Sequence, residues 1–452
     1  MGAVDWFRAK AENGIQGKRN LMMATNSVAN ERKKNSTRFN RLRLHGSAML
    51  HAKGLLQQTV VTKLCPIVQL RLSPLPSEYN NNVKQTEDNF FPEPKVLSGL
   101  DAKWLTTEAS EQFAKQVLCM VSDSKCTFQM TSEGCGGAYF LTMETILSCS
   151  SELVAPIGIF KPRDEEYMAP NNPRGYVKEN AVVGVTEHPV NKGFRVGNGA
   201  FRERAAYLLD SAYGNFSGVP ETNVMVLNVN GVEKEGSMQR FIASQCSADD
   251  MGTLNFAIPE VHKIGILDVR LFNTDRHAGN ILLNARPNDQ TFAMTPIDHG
   301  FCLPSYQHLD NATFDWLQWP QAEFPFTCDE LNHIASLDEA RDATVLRAVG
   351  IEEVCVTTMR VCTGVLKRGA EAGFSLFEIG SLLQRDGDYS SPSQLEVIII
   401  EAQAVVEKSI SKLEERMSMA FFDAIVAECA RRTNDLFESL TKKKVRSISC
   451  FS

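Results

Sequence analysis

The chain has 452 residues, an apolar fraction of 43%, a charged fraction of 22% and a formal net charge of −7. That length can hold the core of two or three domains, and the composition is that of a folded globular protein rather than a fibrous or disordered one. Its twelve cysteines are scattered with no Cys-x-x-Cys pair, against a disulfide scaffold or zinc site, and no run reaches the roughly 18–20 apolar residues of a membrane span. The expectation is a cytoplasmic protein, soluble or peripheral on membranes, with no nucleic-acid partner.

Charge is unevenly spread. Residues 1–53 carry eleven Lys or Arg against three acidic residues, so the rest of the chain is strongly acidic. An anionic membrane would repel that acidic body except at local basic patches, of which the N-terminal arm is one. The arm reads equally as a weakly ordered basic tail, and a transit segment is a further alternative. Trp6 stands where a myristoylation motif wants Ser or Thr. Residues 59–72 alternate enough for a strand pair, and 73–94, rich in Pro, Asn and acid, read as linker.

From Trp104 to Val121, the residues Leu105, Ala109, Phe113, Val117 and Val121 recur at helical spacing. The stretch Glu133–Phe140 then offers a hairpin in which Gly134, Cys135, Gly136 and Gly137 could let backbone N–H groups approach phosphate. The same composition also makes a plain turn. A strand over Ile157–Lys161 ends on a cation, and an irregular Pro/Asn/Gly-rich excursion fills 162–200. A helix starting near Ala200 carries Glu203, and a strand is expected at Gly236–Phe241. Beyond Pro259 the pattern is helical, with helices expected at 327–337, 339–348, 351–370 and 375–385, then one long amphipathic helix over 393–440 that packs on its neighbours. Lys442, Lys443, Lys444 and Arg446 read as a frayed basic tail; palmitoylation of Cys450 and electrostatic membrane contact are the alternatives.

Residues 268–304 are the most informative. Asp275, Asn280 and Asp298 stand at the spacing phosphoryl transfer needs: one carboxylate to orient or deprotonate an attacking hydroxyl, and an Asn and a second Asp to hold Mg²⁺. The apolar run Ile281–Leu283 and Ile297 suggest two short buried strands around a turn, carrying these groups into a cleft. His277 could move a proton or simply keep the turn in shape, and His299 reads as structural.

Asp-Arg-His-x-x-Asn at 275–280 followed by Asp-His-Gly at 298–300 resembles the phosphatidylinositol 3-/4-kinase superfamily. The wording of 160–173, 201–210, 236–241 and 316–322 is similar to the plant-type gamma class, grouped with the type II phosphatidylinositol 4-kinases. The resemblance spans roughly 130–385 in the expected order. It implies an α+β, two-lobed protein-kinase-like fold, with a small β-rich N-lobe and a mostly helical C-lobe, to which composition adds the basic, weakly ordered N-terminal extension. The implied division is 1–100 extension and linker, 101–242 helix and N-lobe, 243–440 C-lobe, and 441–452 basic tail. It further implies ATP and Mg²⁺ as cofactors, with Lys161 on the α/β-phosphates and Glu203 pairing with Lys161. Gln239, Arg240, Phe241 and Ile242 would form a hinge offering main-chain hydrogen bonds to adenine. The excursion lacks the cysteine cluster of the animal type II enzymes, so lipid anchoring at that point does not carry over.

The acceptor is less sharply written. From Asp298 through Ala340 there is no Lys or Arg, a composition unsuited to multiply phosphorylated inositides, whose every added phosphate brings about −1.5 to −2 charge. Phosphatidylinositol in membranes suits it, and so does a protein hydroxyl. Phe314, Trp316, Trp319, Phe324 and Phe326 nearby read more as core than as a membrane-facing set. The expected activity is a phosphatidylinositol 4-kinase; a Ser/Thr protein kinase and a silent kinase-like scaffold are the alternatives.

Overall fold

Thr107 opens the first helix, α1 (Glu108–Ser122): its hydroxyl accepts the Ser110 N–H at 3.1 Å while the Ser110 hydroxyl accepts the Thr107 N–H at 3.1 Å. This reciprocal cap satisfies two donors that a first turn leaves free. Phe113 and Val117 are fully buried, a gain of roughly 1.5–3 kcal/mol each. They join Leu141, Phe160, Leu227 and Met238 in one apolar cluster, so the expected leading helix is built into the N-lobe core.

The computed structural model describes residues 106–123, 126–143, 156–287, 291–309, 312–385, 390–409 and 417–449, all within the unit Asn89–Ser452. The basic arm, the 59–72 strand pair, the 73–94 linker and Cys450 lie outside the described residues. Strands β1 (Cys126–Met130), β2 (Tyr139–Met143), β3 (Gly158–Pro162), β4 (Thr222–Val229) and β5 (Val232–Arg240) form an antiparallel sheet of order β1-β2-β3-β5-β4. Gly236 pairs with Pro162, where a Cβ would lie 2.3 Å from the Lys161 carbonyl oxygen. Only glycine allows that approach, which fixes the strand carrying Lys161.

Between β3 and β4 run the excursion and helix α2 (Gly199–Ser211), whose N-cap residue Asn198 makes no side-chain cap. Glu166 does that work from the excursion, its carboxylate accepting the Gly199 and Ala200 N–H groups, each at 3.2 Å. The C-lobe begins with β6 (Cys246–Ser247) and α3 (Ile258–Leu271), and β6 pairs with a hairpin of β7 (Ile281–Ala285) and β8 (Phe292–Pro296). Helices α4 (Cys328–Ser336), α5 (Glu339–Val349), α6 (Glu353–Glu371) and α7 (Leu376–Ser381) follow, close to the expected spans. A second apolar cluster, with Ile264, Leu267, Trp316, Met359 and Leu366 among its members, fills this lobe. The fold is thus a β-sheet N-lobe on a helical C-lobe.

The single helix expected over 393–440 is instead two, α8 (Gln394–Ser409) and α9 (Met419–Ser449). The Ser418 hydroxyl accepts the Phe421 N–H at 3.2 Å and starts the second, and Arg432 of α9 bonds Glu401 of α8. The expected frayed tail is also corrected, because α9 continues to Ser449. Phe437 is buried against Phe374 at 5.1 Å, while Lys444 lies 4.8 Å above the Phe374 ring and 2.9 Å from Glu378. Lys442 pairs with Glu438 at 3.5 Å. The apolar stripe packs on the C-lobe, as expected.

Candidate active site

The catalytic turn is wound around a buried charge pair. Asp268, one turn before the end of α3, and Arg276 are both fully buried. The Asp268 carboxylate accepts from Arg276 Nε (3.0 Å to each oxygen), Asn273 Nδ2 (3.2 Å) and Trp316 Nε1 (3.1 Å). Asn273 Oδ1 in turn accepts the Asp275 N–H at 3.0 Å. Arg276 Nη1 donates to the carbonyls of Asn280 (2.6 Å) and Ile297 (3.1 Å), tying the catalytic turn to the segment that leads into Asp298. Asn280 Nδ2 donates to the Asp275 carbonyl at 3.0 Å. Burial, then the neighbouring Asp298, holds the Asp275 carboxyl above its usual range, the direction that favours a proton acceptor near neutrality.

Asp298 adopts a left-handed backbone, φ +57°, which Asp tolerates better than most residues. Lys161 Nζ lies 2.8 Å from Asp298 Oδ1 and 2.6 Å from Glu203 Oε1. Three groups far apart in sequence therefore meet at one ammonium. Lys161 is pushed up: burial acts downward, and Asp298 and Glu203 outweigh it. Lys161 is the main cause that lowers Asp298. Glu203, only 3% exposed, is raised by burial against the pull of Lys161.

The glycine-rich loop at 131–138 is held from the excursion. Arg174 donates to the carbonyls of Thr131 (2.7 Å), Glu133 (2.8 Å), Ser132 (3.2 Å) and Gly136 (3.2 Å), and Asn172 Nδ2 to that of Cys135 (2.8 Å). Gly134 and Cys135 are exposed. The Gly137 N–H is already given to the Glu165 carbonyl at 2.9 Å, and a Cβ there would collide with the Glu165 carboxylate at 2.1 Å. Gly137 is therefore glycine for packing as well. At the hinge, the Arg240 and Phe241 N–H groups are used by the carbonyls of Glu221 (2.8 Å) and Ile157 (2.9 Å). The Gln239 side chain bonds Thr222. Among the described residues the Ile242 N–H has no such partner, which narrows the expected adenine contacts.

His277 is exposed and its Nδ1 accepts the Gly279 N–H at 3.1 Å, so one ring nitrogen shapes the turn. His299 is buried beneath the site, its Nε2 3.0 Å from Arg276. Phe314, Trp316 and Trp319 are buried, while Phe324 is 49% exposed. The described cysteines are free thiols.

The excursion also reaches the segment after Asp298. Its Gly193 carbonyl accepts the Ser305 N–H at 3.0 Å, Arg195 pairs with Glu352 at 2.7 Å, and the rings of His188 and Phe194 meet Phe301 at 5.8 and 5.5 Å. These contacts, the Arg174 clamp and the Asp268–Arg276 hub were not read from the sequence. Asp268 did leave a signal, an acid inside the otherwise apolar run Ile264–Val269, since a buried carboxylate needs partners.

No cluster of three or more His, Cys, Asp or Glu side chains able to hold a metal occurs among the described residues. Asp298 and Asn280 instead offer a small all-oxygen set. That fits Mg²⁺, which takes one or two protein ligands and completes its shell with phosphate oxygens and water.

A lysine held by a helical glutamate above an Asp/Asn/Asp turn, between a β-sheet lobe and a helical lobe, is a kinase arrangement. Residues 153–379 match the family described as phosphatidylinositol 3- and 4-kinase, and the chain belongs to that family. Its relatives include phosphatidylinositol 4-kinase gamma 7 of Arabidopsis thaliana, 40% identical over 303 residues, covering 61% of this chain and 44% of that protein. Phosphatidylinositol 4-kinase gamma 4 of Oryza sativa subsp. japonica is 41% identical over 289 residues, covering 61% and 48%. The chain thus spans about half the length of the curated relatives it matches. A solved Helicobacter pylori proinflammatory kinase, CtkA, aligns over 64% of this chain and 98% of its own at 11% identity with a TM-score of 0.22, a likeness too slight to carry an argument.

Proposed function

We propose that this chain transfers the γ-phosphate of ATP, with Mg²⁺, to the inositol 4-hydroxyl of phosphatidylinositol. The observation that carries the phosphotransfer reading is the junction at Lys161, where Glu203 and Asp298 meet one ammonium at 2.6 and 2.8 Å. ATP with Mg²⁺, when bound, supplies the phosphoryl group and neutralises its charge. Lys161 holds phosphate oxygens, Glu203 keeps Lys161 in place, Asp298 and Asn280 hold the metal, and Asp275 accepts or orients the proton of the attacking hydroxyl.

The lipid acceptor is supported by the names of the gamma relatives and by the cation-free stretch 298–340. Lys367 and Arg360 reach this stretch but are taken up by the Ala335 and Leu337 carbonyls and by Glu339, whereas the excursion brings an exposed lysine near it. Lys192 adjoins Gly193, the residue bonded to Ser305, and is exposed without an ion pair among the described residues. Arg195 and Arg163, by contrast, are taken by Glu352 and Glu235. One lysine suits one phosphodiester, and on this reading the protein works at a cytoplasmic membrane surface. No helix among the described residues is long and apolar enough to cross a membrane.

The test supplies radiolabelled ATP and Mg²⁺ with phosphatidylinositol micelles and a generic protein in parallel. Label at the inositol 4-position, absent with Asp298→Ala, is the expected result. Label on protein alone would move the acceptor to a protein hydroxyl, and label on neither would remove the phosphotransfer reading.

A further inference from the structure

Among the described residues, two buried polar atoms beside the Lys161 junction have no hydrogen-bond partner: Glu203 Oε2 and His299 Nδ1. They face each other at 3.9 Å, on side chains 3% and 0% exposed. Buried polar atoms are seldom left unbonded, and two facing orphans of opposite need are a poised hydrogen bond.

The other face of His299 decides which nitrogen carries the proton. An arginine can only donate, and Arg276 Nη2 lies 3.0 Å from His299 Nε2. Nε2 must therefore accept, and the neutral ring carries its hydrogen on Nδ1, the nitrogen facing Glu203.

We propose that His299 is a positioning residue for the Lys161–Glu203 pair, donating from Nδ1 to Glu203 Oε2 when Lys161 exchanges Asp298 for nucleotide phosphate. The proposal rests on the phosphotransfer reading. In the present arrangement Lys161 is divided between two carboxylates at 2.6 and 2.8 Å, one oxygen of each. Once Lys161 turns to phosphate, Glu203 becomes its remaining anchor. A carboxylate gripped from behind by a neutral N–H keeps its charge and its aim. The line Arg276–His299–Glu203–Lys161 then ties the catalytic turn to β3 through side chains alone.

Long-range ¹H–¹⁵N NMR of the full chain labelled with ¹⁵N-histidine reads the tautomer without turnover. The expected spectrum for His299 is a neutral ring protonated on Nδ1, whose proton moves downfield on adding ATP and Mg²⁺. A proton on Nε2, a doubly protonated ring near neutral pH, or an Nδ1 proton indifferent to nucleotide would each overturn the proposal. In fluorescent ATP-analogue titrations, His299→Gln, whose amide can accept from Arg276 and donate to Glu203, should bind like the native chain. His299→Leu should bind about tenfold more weakly, the loss of one hydrogen bond to a charged group. Equal losses in both variants, with unchanged melting temperatures, would also sink it. If the native chain labels no acceptor, the phosphotransfer reading fails while the tautomer result still stands.

Discussion

Replacing Asp268 by Asn removes a negative charge from a place water does not reach. Asp268 and Arg276 are both fully buried, and burial pushes the Asp268 carboxyl up while Arg276, Trp316 and Asn273 pull it back. Burial outweighs those bonds, so the pair adds little net stability, and the damage comes from leaving Arg276 charged and alone. Breaking one side of a buried ion pair costs about 3–5 kcal/mol. The amide makes matters worse, since its N–H must point at Arg276 or Trp316, both donors, at about 1–3 kcal/mol for the clash of needs. The two figures overlap because one rearrangement relieves part of both, so a loss of about 3–5 kcal/mol is expected, a large share of the roughly 5–15 kcal/mol that holds a domain folded. Urea unfolding followed by circular dichroism measures it. A loss below about 1 kcal/mol would refute the reasoning. The double variant Asp268→Leu with Arg276→Met removes both charges and should regain most of the stability. It should not regain phosphotransfer, because the Arg276 bonds to the Asn280 and Ile297 carbonyls go with it. A double variant as unstable as the single one would show that the orphaned charge is not the cause.

Three further outcomes follow from the same geometry. Burial lifts the Glu166 carboxyl from 4.5 to about 7 despite its bonds to Gly199 and Ala200. The folded chain then binds more protons than the unfolded chain between those values, so stability falls as pH rises through that window and levels off above it, by about 3 kcal/mol in all. Glu166→Gln should flatten that slope in urea titrations at several pH values, and an unchanged slope would assign it elsewhere. Arg174→Ala frees the four loop carbonyls it holds; nucleotide affinity, read by fluorescent-analogue titration, should drop about tenfold, or about 1.4 kcal/mol. Lys192→Glu turns attraction for the acceptor phosphodiester into repulsion, about 2 kcal/mol or roughly thirtyfold in the KM for phosphatidylinositol at low salt. The KM for ATP should stay put, and a parallel rise in both would mean Lys192 acts through the fold instead.

The parts legible in the sequence were those written locally. Asp275, Asn280 and Asp298 sit on one short stretch, while the pairing of Lys161 with Glu203 came through the family resemblance, helped by a strand end and a helix start. Helices α4 to α7 follow apolar periodicity, which burial imposes directly. The break between α8 and α9 was missed because the apolar pattern continues on either side of it, and Ser418 is an ordinary residue until its hydroxyl is seen capping Phe421. Likewise nothing near Arg174 announces a clamp, since its partners lie about forty residues upstream and are carbonyls, which every residue has. Nor could spacing show that Lys161 is shared with Asp298, 137 positions away. The gamma-type wording at 160–173 and 201–210 pointed to the family but not to these contacts.

The anchoring of residues 188–195 gives the cleft a second attachment besides the 239–242 connection. Gly193 on Ser305, Arg195 on Glu352, and the rings of His188 and Phe194 on Phe301 all join the excursion to the far lobe. A jaw fastened at both ends does not gape. Rocking of the lobes would have to break that hydrogen bond and that ion pair together, and because Arg174 and Asn172 of the same excursion also grip the 131–136 carbonyls, one strap holds the loop and the far lobe at once.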